Sequence, residues 1–254
     1  MPSPPRSYST AFPSDAELFY SCTTSSTSAE DLKIHYTPPS KASLKIGVVI
    51  LSQHPTHVLD LAALDLLAMM GRNRMSGLSS SRTAMDEAVD EIDVRYVTAS
   101  GEGSFPITSG GRMPCTNSFE NSPQFNILLI PGSFSTGPLP PSAISFFMAQ
   151  CSNTNFIAIM SLVSGILHLT QTSILHKRRA AAPRSLLPAL KARFPEMYWC
   201  STPWERHDRF WSSNSAVSAL DMMRTFMREY FWDRKEAVEC VLNAAGIGDL
   251  DECE

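Results

Sequence analysis

A histidine and an aspartate three residues apart, His57 and Asp60, precede an apolar, leucine-rich segment. Together they could move a proton, because imidazole titrates near neutrality and a carboxyl in a partly buried cleft has its pKa displaced. Plainer uses stand beside that one: aspartate is a good helix N-cap, and a loop histidine commonly faces solvent. The thiols are the other candidates. Cys22, Cys115, Cys151, Cys200, Cys240 and Cys253 are widely spaced and none falls in a CxxC pair. They read as reduced thiols, and no clustered Cys/His set suggests a metal site. No cofactor motif is present, so neither cofactor nor metal is expected.

The elements that must position these groups read as alternating strands and helices. Short apolar runs at Leu44–Leu51, Ile92–Thr98, Phe125–Ile130 and Phe156–Met160 suit strands of a parallel sheet buried on both faces. Asp60 should open a helix that runs to about Met70, ending before Gly71. Residues 72–91 look inserted, a Ser/Gly/Arg-rich loop followed by the short acidic helical segment Met85–Glu91. A hairpin and loop are expected over Gly101–Asn121, and helices over Pro141–Gln150, from Gly165 through Gln171, over Ser185–Phe194 and over Ala216–Phe231. Arg178–Ala182 could form another short strand. The expected architecture is a three-layer α/β sandwich around a mostly parallel sheet. Ligands of such sheets bind beyond the carboxyl ends of the strands. Three regions are expected: a weakly ordered Ser/Pro-rich arm at 1–43, the α/β domain at 44–232, and a helical tail at 233–254.

Bulk properties narrow the function classes. The 254 residues, 43% hydrophobic and 18% charged, suit a globular chain with one sizeable core. A net charge of −4 leaves no basic footprint for nucleic acid or an anionic membrane. No apolar run reaches the roughly 20 residues needed to span a bilayer. The N-terminus lacks a secretory pattern, and Asp15 and Glu17 sit badly in a mitochondrial presequence, so a cytoplasmic protein is expected.

Five segments, in order, resemble the ThiJ/PfpI superfamily, with its flavodoxin-like, class I glutamine amidotransferase-like fold, and within it the isonitrile hydratase and transcription-regulator-like branches. They are the first strand with Leu59-Asp60-Leu61; Ile107-Thr108-Ser109-Gly110-Gly111-Arg112, similar to the family's "TSSG"; and Asn126-Ile127-Leu128-Leu129-Ile130-Pro131-Gly132, similar to its "D-hydrophobic-PGG" strand. Met160–Gly165 with the helix behind it follows. The last is Phe210-Trp211-Ser212-Ser213, running on through Val217–Met222, similar to "IWTSAGVSAGIDM". Together they cover about residues 44–232.

The resemblance implies a strand-to-helix elbow, in the family a pattern like "S-V-C-T-G", whose cysteine is held near a helix N-terminus as a reactive thiolate. Here the aligned residues are Ser161-Leu162-Val163-Ser164-Gly165, and Val163 can neither attack nor ionise. The family's histidine, in a segment like "ATTHW", aligns with Pro183, and the second glycine of "PGG" with Ser133, whose N–H could still serve an oxyanion. Cysteine-dependent hydrolysis, amidotransfer and glyoxalase chemistry are therefore disfavoured. Asp60 keeps the position of an acidic residue that the isonitrile hydratase branch uses beside its nucleophile, with His57 in the same loop. Gly132, Ser133, Val163, Ser164 and Asn214 are implied as substrate contacts, although Ser164 could instead cap the following helix. Phe134, Trp204 and Trp211 could be apolar walls or core, His168 reads as a core histidine, and Cys115 and Cys200 are off-elbow thiols. Two functions stay open. One is a non-covalent acid/base enzyme (lyase, isomerase, hydratase or cyclase) acting on a small apolar carbonyl metabolite, of the kind met in polyketide-type specialised metabolism. The other is a pseudoenzyme serving as a ligand-binding or interaction module. A small-molecule ligand and a homodimer are the implied partners. A DNA-binding regulator is not favoured, since no helix-turn-helix segment follows the domain and the chain is acidic.

Overall fold

A computed structural model describes residues 43–51, 54–133 and 137–248. The expected arm, apart from residue 43, and Phe134, Cys22 and Cys253 lie outside the described residues.

In chain order, β1 (Ser43–Val49) leads through a 3₁₀ turn (Val58–Leu61) into α1 (Ala62–Met69), α2 (Arg72–Leu78) and α3 (Arg82–Glu87). Then come β2 (Glu91–Thr98), β3 (Ser104–Pro106), β4 (Arg112–Pro114), β5 (Asn117–Ser118) and β6 (Ile127–Ile130). Next are α4 (Pro141–Cys151), β7 (Ala158–Leu162) and α5 (Ile166–Leu169). The remainder is β8 (Arg179–Ala181), α6 (Leu187–Arg193), β9 (Tyr198–Cys200), β10 (Trp204–His207), β11 (Phe210–Ser213), α7 (Ala216–Tyr230) and α8 (Lys235–Ala244).

The main sheet has seven strands in the order β10-β11-β7-β6-β1-β2-β5, and every neighbouring pair is parallel except β10–β11. Both faces are covered because the apolar strands have no polar side. On β6, Ile127 and Leu129 join the core under α1, α7 and α8, while Leu128 and Ile130 join the core under α4, α5 and α6. Apolar strands that alternate this way must be roofed by helices on each side. This is the flavodoxin-like, class I glutamine amidotransferase-like α/β sandwich that the sequence led us to expect. Among the described residues no helix is long and apolar enough to cross a membrane.

Several boundaries differ from expectation. β6 starts at Ile127 because the two preceding residues are held by side chains: Phe125 N–H donates to Gln150 Oε1 at 2.8 Å, and Asn126 Oδ1 accepts from Lys45 N–H at 2.8 Å. β7 starts two residues late, after a turn in which Phe156 N–H reaches Asn153 C=O. That shift carries Ser161 and Leu162 into the strand and sets Val163 at its end. The Ser/Gly/Arg-rich stretch expected as a loop is helical in α2, since Met75 is fully buried and Arg72 N–H donates to Val89 C=O. The helix expected behind the elbow is only the four residues of α5. α8 packs on α3, where Glu87 Oε2 accepts from Ala237 N–H and Arg234 Nη1 donates to the carbonyls of Glu87 and Ala88.

Candidate functional site

Three turns meet at the carboxyl ends of β1, β6 and β7. The first carries His57 and Asp60, the second is Pro131-Gly132-Ser133, and the third is the elbow Val163-Ser164-Gly165. Val163 has φ of 52°, in the left-handed region that a β-branched residue adopts only under strain. The sharp reversal there converts β7 directly into a 3₁₀ turn and α5.

The Asp60 carboxylate is buried and Oδ2 accepts from Gly132 N–H at 2.7 Å. In return His57 N–H donates to Gly132 C=O at 3.1 Å, so the first two turns grip each other through both sides of one glycine. Gly132 has to be glycine: a β-carbon there would lie 2.6 Å from Ser164 Oγ and 2.8 Å from Asp60 Oδ2. His57 Nδ1 sits 3.9 Å from Asp60 Oδ2, with the imidazole partly open to solvent and the carboxyl enclosed. Burial pushes the Asp60 carboxyl above the ordinary carboxylate range, against the opposing pull of Gly132 N–H and of the His57 imidazole.

Asp60 is thus neither the opening residue of a helix nor an N-cap. It lies inside a 3₁₀ turn, α1 starts two residues later, and its side chain reaches across to another strand's turn rather than to its own helix. Ser164 does not cap α5 either. Its Oγ donates to Ser133 C=O at 3.0 Å and accepts from Ser133 N–H at 3.1 Å, which ties the elbow to the second turn. The amide expected to serve an oxyanion is therefore engaged within the protein, as is that of Gly132.

The other expected contacts divide. Asn214 follows β11, whose Ser213 pairs with Leu162, so it stands beside the elbow. Its amide is committed locally, Nδ2 donating to Thr202 C=O at 3.0 Å and Oδ1 accepting from Ser218 Oγ at 2.9 Å. Trp211 is core, stacked on Trp204, whose Nε1 donates to Asp221 at 2.8 Å. His168 is a buried core histidine on α5. Cys115, Cys151, Cys200 and Cys240 are free thiols, none of them at the elbow.

Sequence reasoning missed two supports. Thr56 is buried and bridges both Ile107 and Ser133, and Thr108 Oγ1 accepts from Val58 N–H at 3.3 Å while its own N–H donates to Thr56 C=O. The tip of the β3–β4 hairpin thereby straps down the segment that holds His57 and Asp60. The only signal for this was the "TSGG" stretch itself, which speaks for a turn and not for what the turn touches. A cavity of about 300 Å³ opens nearby at the ends of β1 and β2, and none of the seven site residues expected from sequence lines it.

No protein-family model matches the sequence, and neither does any curated protein. Solved structures do share the fold. A ThiJ/PfpI family protein from Pseudomonas syringae superposes with a TM-score of 0.60 at 17% identity, over 88% of this chain and 85% of that one. An AraC family transcriptional regulator from Pseudomonas putida gives 0.59 at 16% identity, over 78% of this chain and 99% of that one. DJ-1 from Schizosaccharomyces pombe gives 0.54 at 12%, over 76% and 98%. At these identities the likeness is one of fold, the fold that the five sequence segments implied.

Proposed function

We propose that the chain is a non-covalent acid/base enzyme, a lyase, isomerase, hydratase or cyclase, acting on a small apolar carbonyl compound at the elbow, with Asp60 as the proton carrier. The observation that supports this reading most is the enclosed Asp60 carboxyl, hydrogen-bonded through Oδ2 and held above its ordinary pKa by burial. A carboxyl whose pKa is raised in this way holds its proton more readily and can both deliver and accept one. His57 Nδ1, 3.9 Å away, is placed to take that proton from Asp60 or return it. The isopropyl group of Val163 in place of a thiol favours an apolar substrate portion at the turn. Gly132, Ser133, Ser164 and Asn214 shape the surround.

A second reading has its own support. The Gly132 and Ser133 amides are both occupied by side chains of the protein, which leaves the turn without those donors for a developing oxyanion. That favours a binding or interaction module without turnover. The regulator among the fold relatives belongs with this reading, and the chain's net charge of −4 argues against direct contact with DNA. A homodimer and a cytoplasmic setting are part of the proposal; light scattering should give twice the chain mass of 28.0 kDa.

Carbonyl metabolites that raise the melting temperature identify ligands, which are then assayed for conversion. Under the enzyme reading Asp60→Asn lowers kcat by about 10²–10⁴-fold with little change in KM, and His57→Gln costs less. Tight binding without turnover in the parent protein would establish the module instead.

A further inference from the structure

The cavity at the ends of β1 and β2 is a built site with a polarity of its own. Its apolar part is formed by the buried residues Ile50, Phe105 and Phe119. Its rim is polar. Gly101 N–H donates to Thr98 Oγ1 at 3.0 Å, Glu102 N–H to Ser100 Oγ at 3.5 Å, and Arg112 Nε to Ser104 Oγ at 2.8 Å. Each of these cavity-lining hydroxyls is used as an acceptor by the protein, so each keeps its O–H proton to donate to a ligand. The turn that carries them is fixed by Gly101, at φ of 73°, where a β-carbon would fall 2.3 Å from Ser118 N.

Two residues of opposite charge, Glu102 and Arg112, line this one cavity. Arg112 is held in place by bonds from its guanidinium to both Oγ and the carbonyl of Ser104, and Glu102 stands on the same rim. Neither pairs with the other, and neither forms an ion pair among the described residues. A ligand with one charge would satisfy one of them and be repelled by the other. A zwitterion satisfies both, its carboxylate meeting Arg112 and the hydroxyls, its ammonium meeting Glu102. The apolar part then calls for an uncharged hydrophobic substituent. About 300 Å³ is the lower end of small-molecule site volumes, which suits one free amino acid rather than a peptide. We propose that this cavity binds a free α-amino acid with an apolar side chain, at a site separate from Asp60.

Calorimetry with L-leucine, L-methionine and L-phenylalanine tests the assignment, with N-acetyl-L-leucine and L-leucinamide as probes that each lack one charge. The free amino acids should bind and raise the melting temperature, and each capped form should bind about tenfold more weakly, the usual effect of losing a charged hydrogen bond. Glu102→Gln and Arg112→Gln are surface changes that spare the fold, and each should weaken L-leucine binding by a similar factor. Asp60→Asn should leave it unchanged, so this site and the elbow are judged separately. Cys115 lines the cavity and Cys200 does not, so L-leucine at about ten times its Kd should slow alkylation of Cys115 about tenfold and leave Cys200 unaffected. Binding by none of the three amino acids at millimolar concentration, equal binding of the capped forms, indifference to both substitutions, or unprotected Cys115 would each overturn the proposal.

Discussion

Ser164 Oγ holds Ser133 from both sides, donating to its carbonyl at 3.0 Å and accepting from its N–H at 3.1 Å. A single hydroxyl thereby fixes the distance between the turn after β6 and the elbow after β7. Ser164→Ala removes both bonds from a part-buried place and is expected to lower the unfolding free energy by about 1–2 kcal/mol. Ser164→Thr keeps the oxygen and should retain most of that stability. Urea denaturation of the two variants beside the parent gives the comparison, and equal losses would show that the hydroxyl is not what matters.

Asp60 should leave a signature in stability against pH. Its carboxyl takes up a proton more readily in the folded chain than in the unfolded one, where the value is near 3.8. Its contribution is therefore full below that value and is lost as pH rises through the raised folded value. Asp60→Asn removes the titration, so its melting temperature should gain on the parent's as pH rises above 3.8. Parallel melting curves above that pH would contradict the raised pKa.

His168 should act with the opposite sign. Burial lowers its pKa from 6.5 to about 4. Between those values the unfolded chain binds the proton and the folded chain does not, so acidification through this window destabilises the fold. The full effect is on the order of 3 kcal/mol. Nδ1 of this side chain is buried without a hydrogen-bond partner among the described residues, so His168→Leu should fold and should lose the acid sensitivity. Denaturation at neutral pH and near pH 4.5 measures the difference.

The thiols should be bystanders. Burial pushes the Cys151 thiol up to about 11, and burial together with Glu205 raises that of Cys200, so both are protonated and sluggish at neutral pH. Exhaustive alkylation of accessible cysteines is expected to leave elbow turnover nearly intact, whereas loss of activity mapping to Cys115 or Cys200 would give a thiol the central role.

The central strands were legible because β1, β6 and β7 are short runs dominated by buried apolar residues, and a sheet roofed on both sides buries such runs. The elbow was legible through its neighbours, a strand entering a serine and a glycine. What local pattern could not reveal was where side chains of the turns end up. Asp60 looks like a helix start because an aspartate before an apolar run usually is one; its carboxylate instead bonds an amide 72 residues away. Ser164 looks like a cap for the same reason, and its partner lies 31 residues back. α2 escaped notice because one buried methionine, Met75, supplies its anchor, and the β10–β11 hairpin because charges at Glu205 and Arg206 interrupt its apolar residues.

The three turns also bear on how the chain assembles. Asp60 and Gly132 can meet only after β6 has docked beside β1, and Ser133 and Ser164 only after β7 has docked beside β6. Closing such long loops costs entropy before any contact offsets it, so these bonds belong late on the folding route. Substitutions among them should mainly speed unfolding and leave the refolding rate nearly untouched. A nascent chain would therefore acquire its site only once β7 has docked, however early the first strands pair.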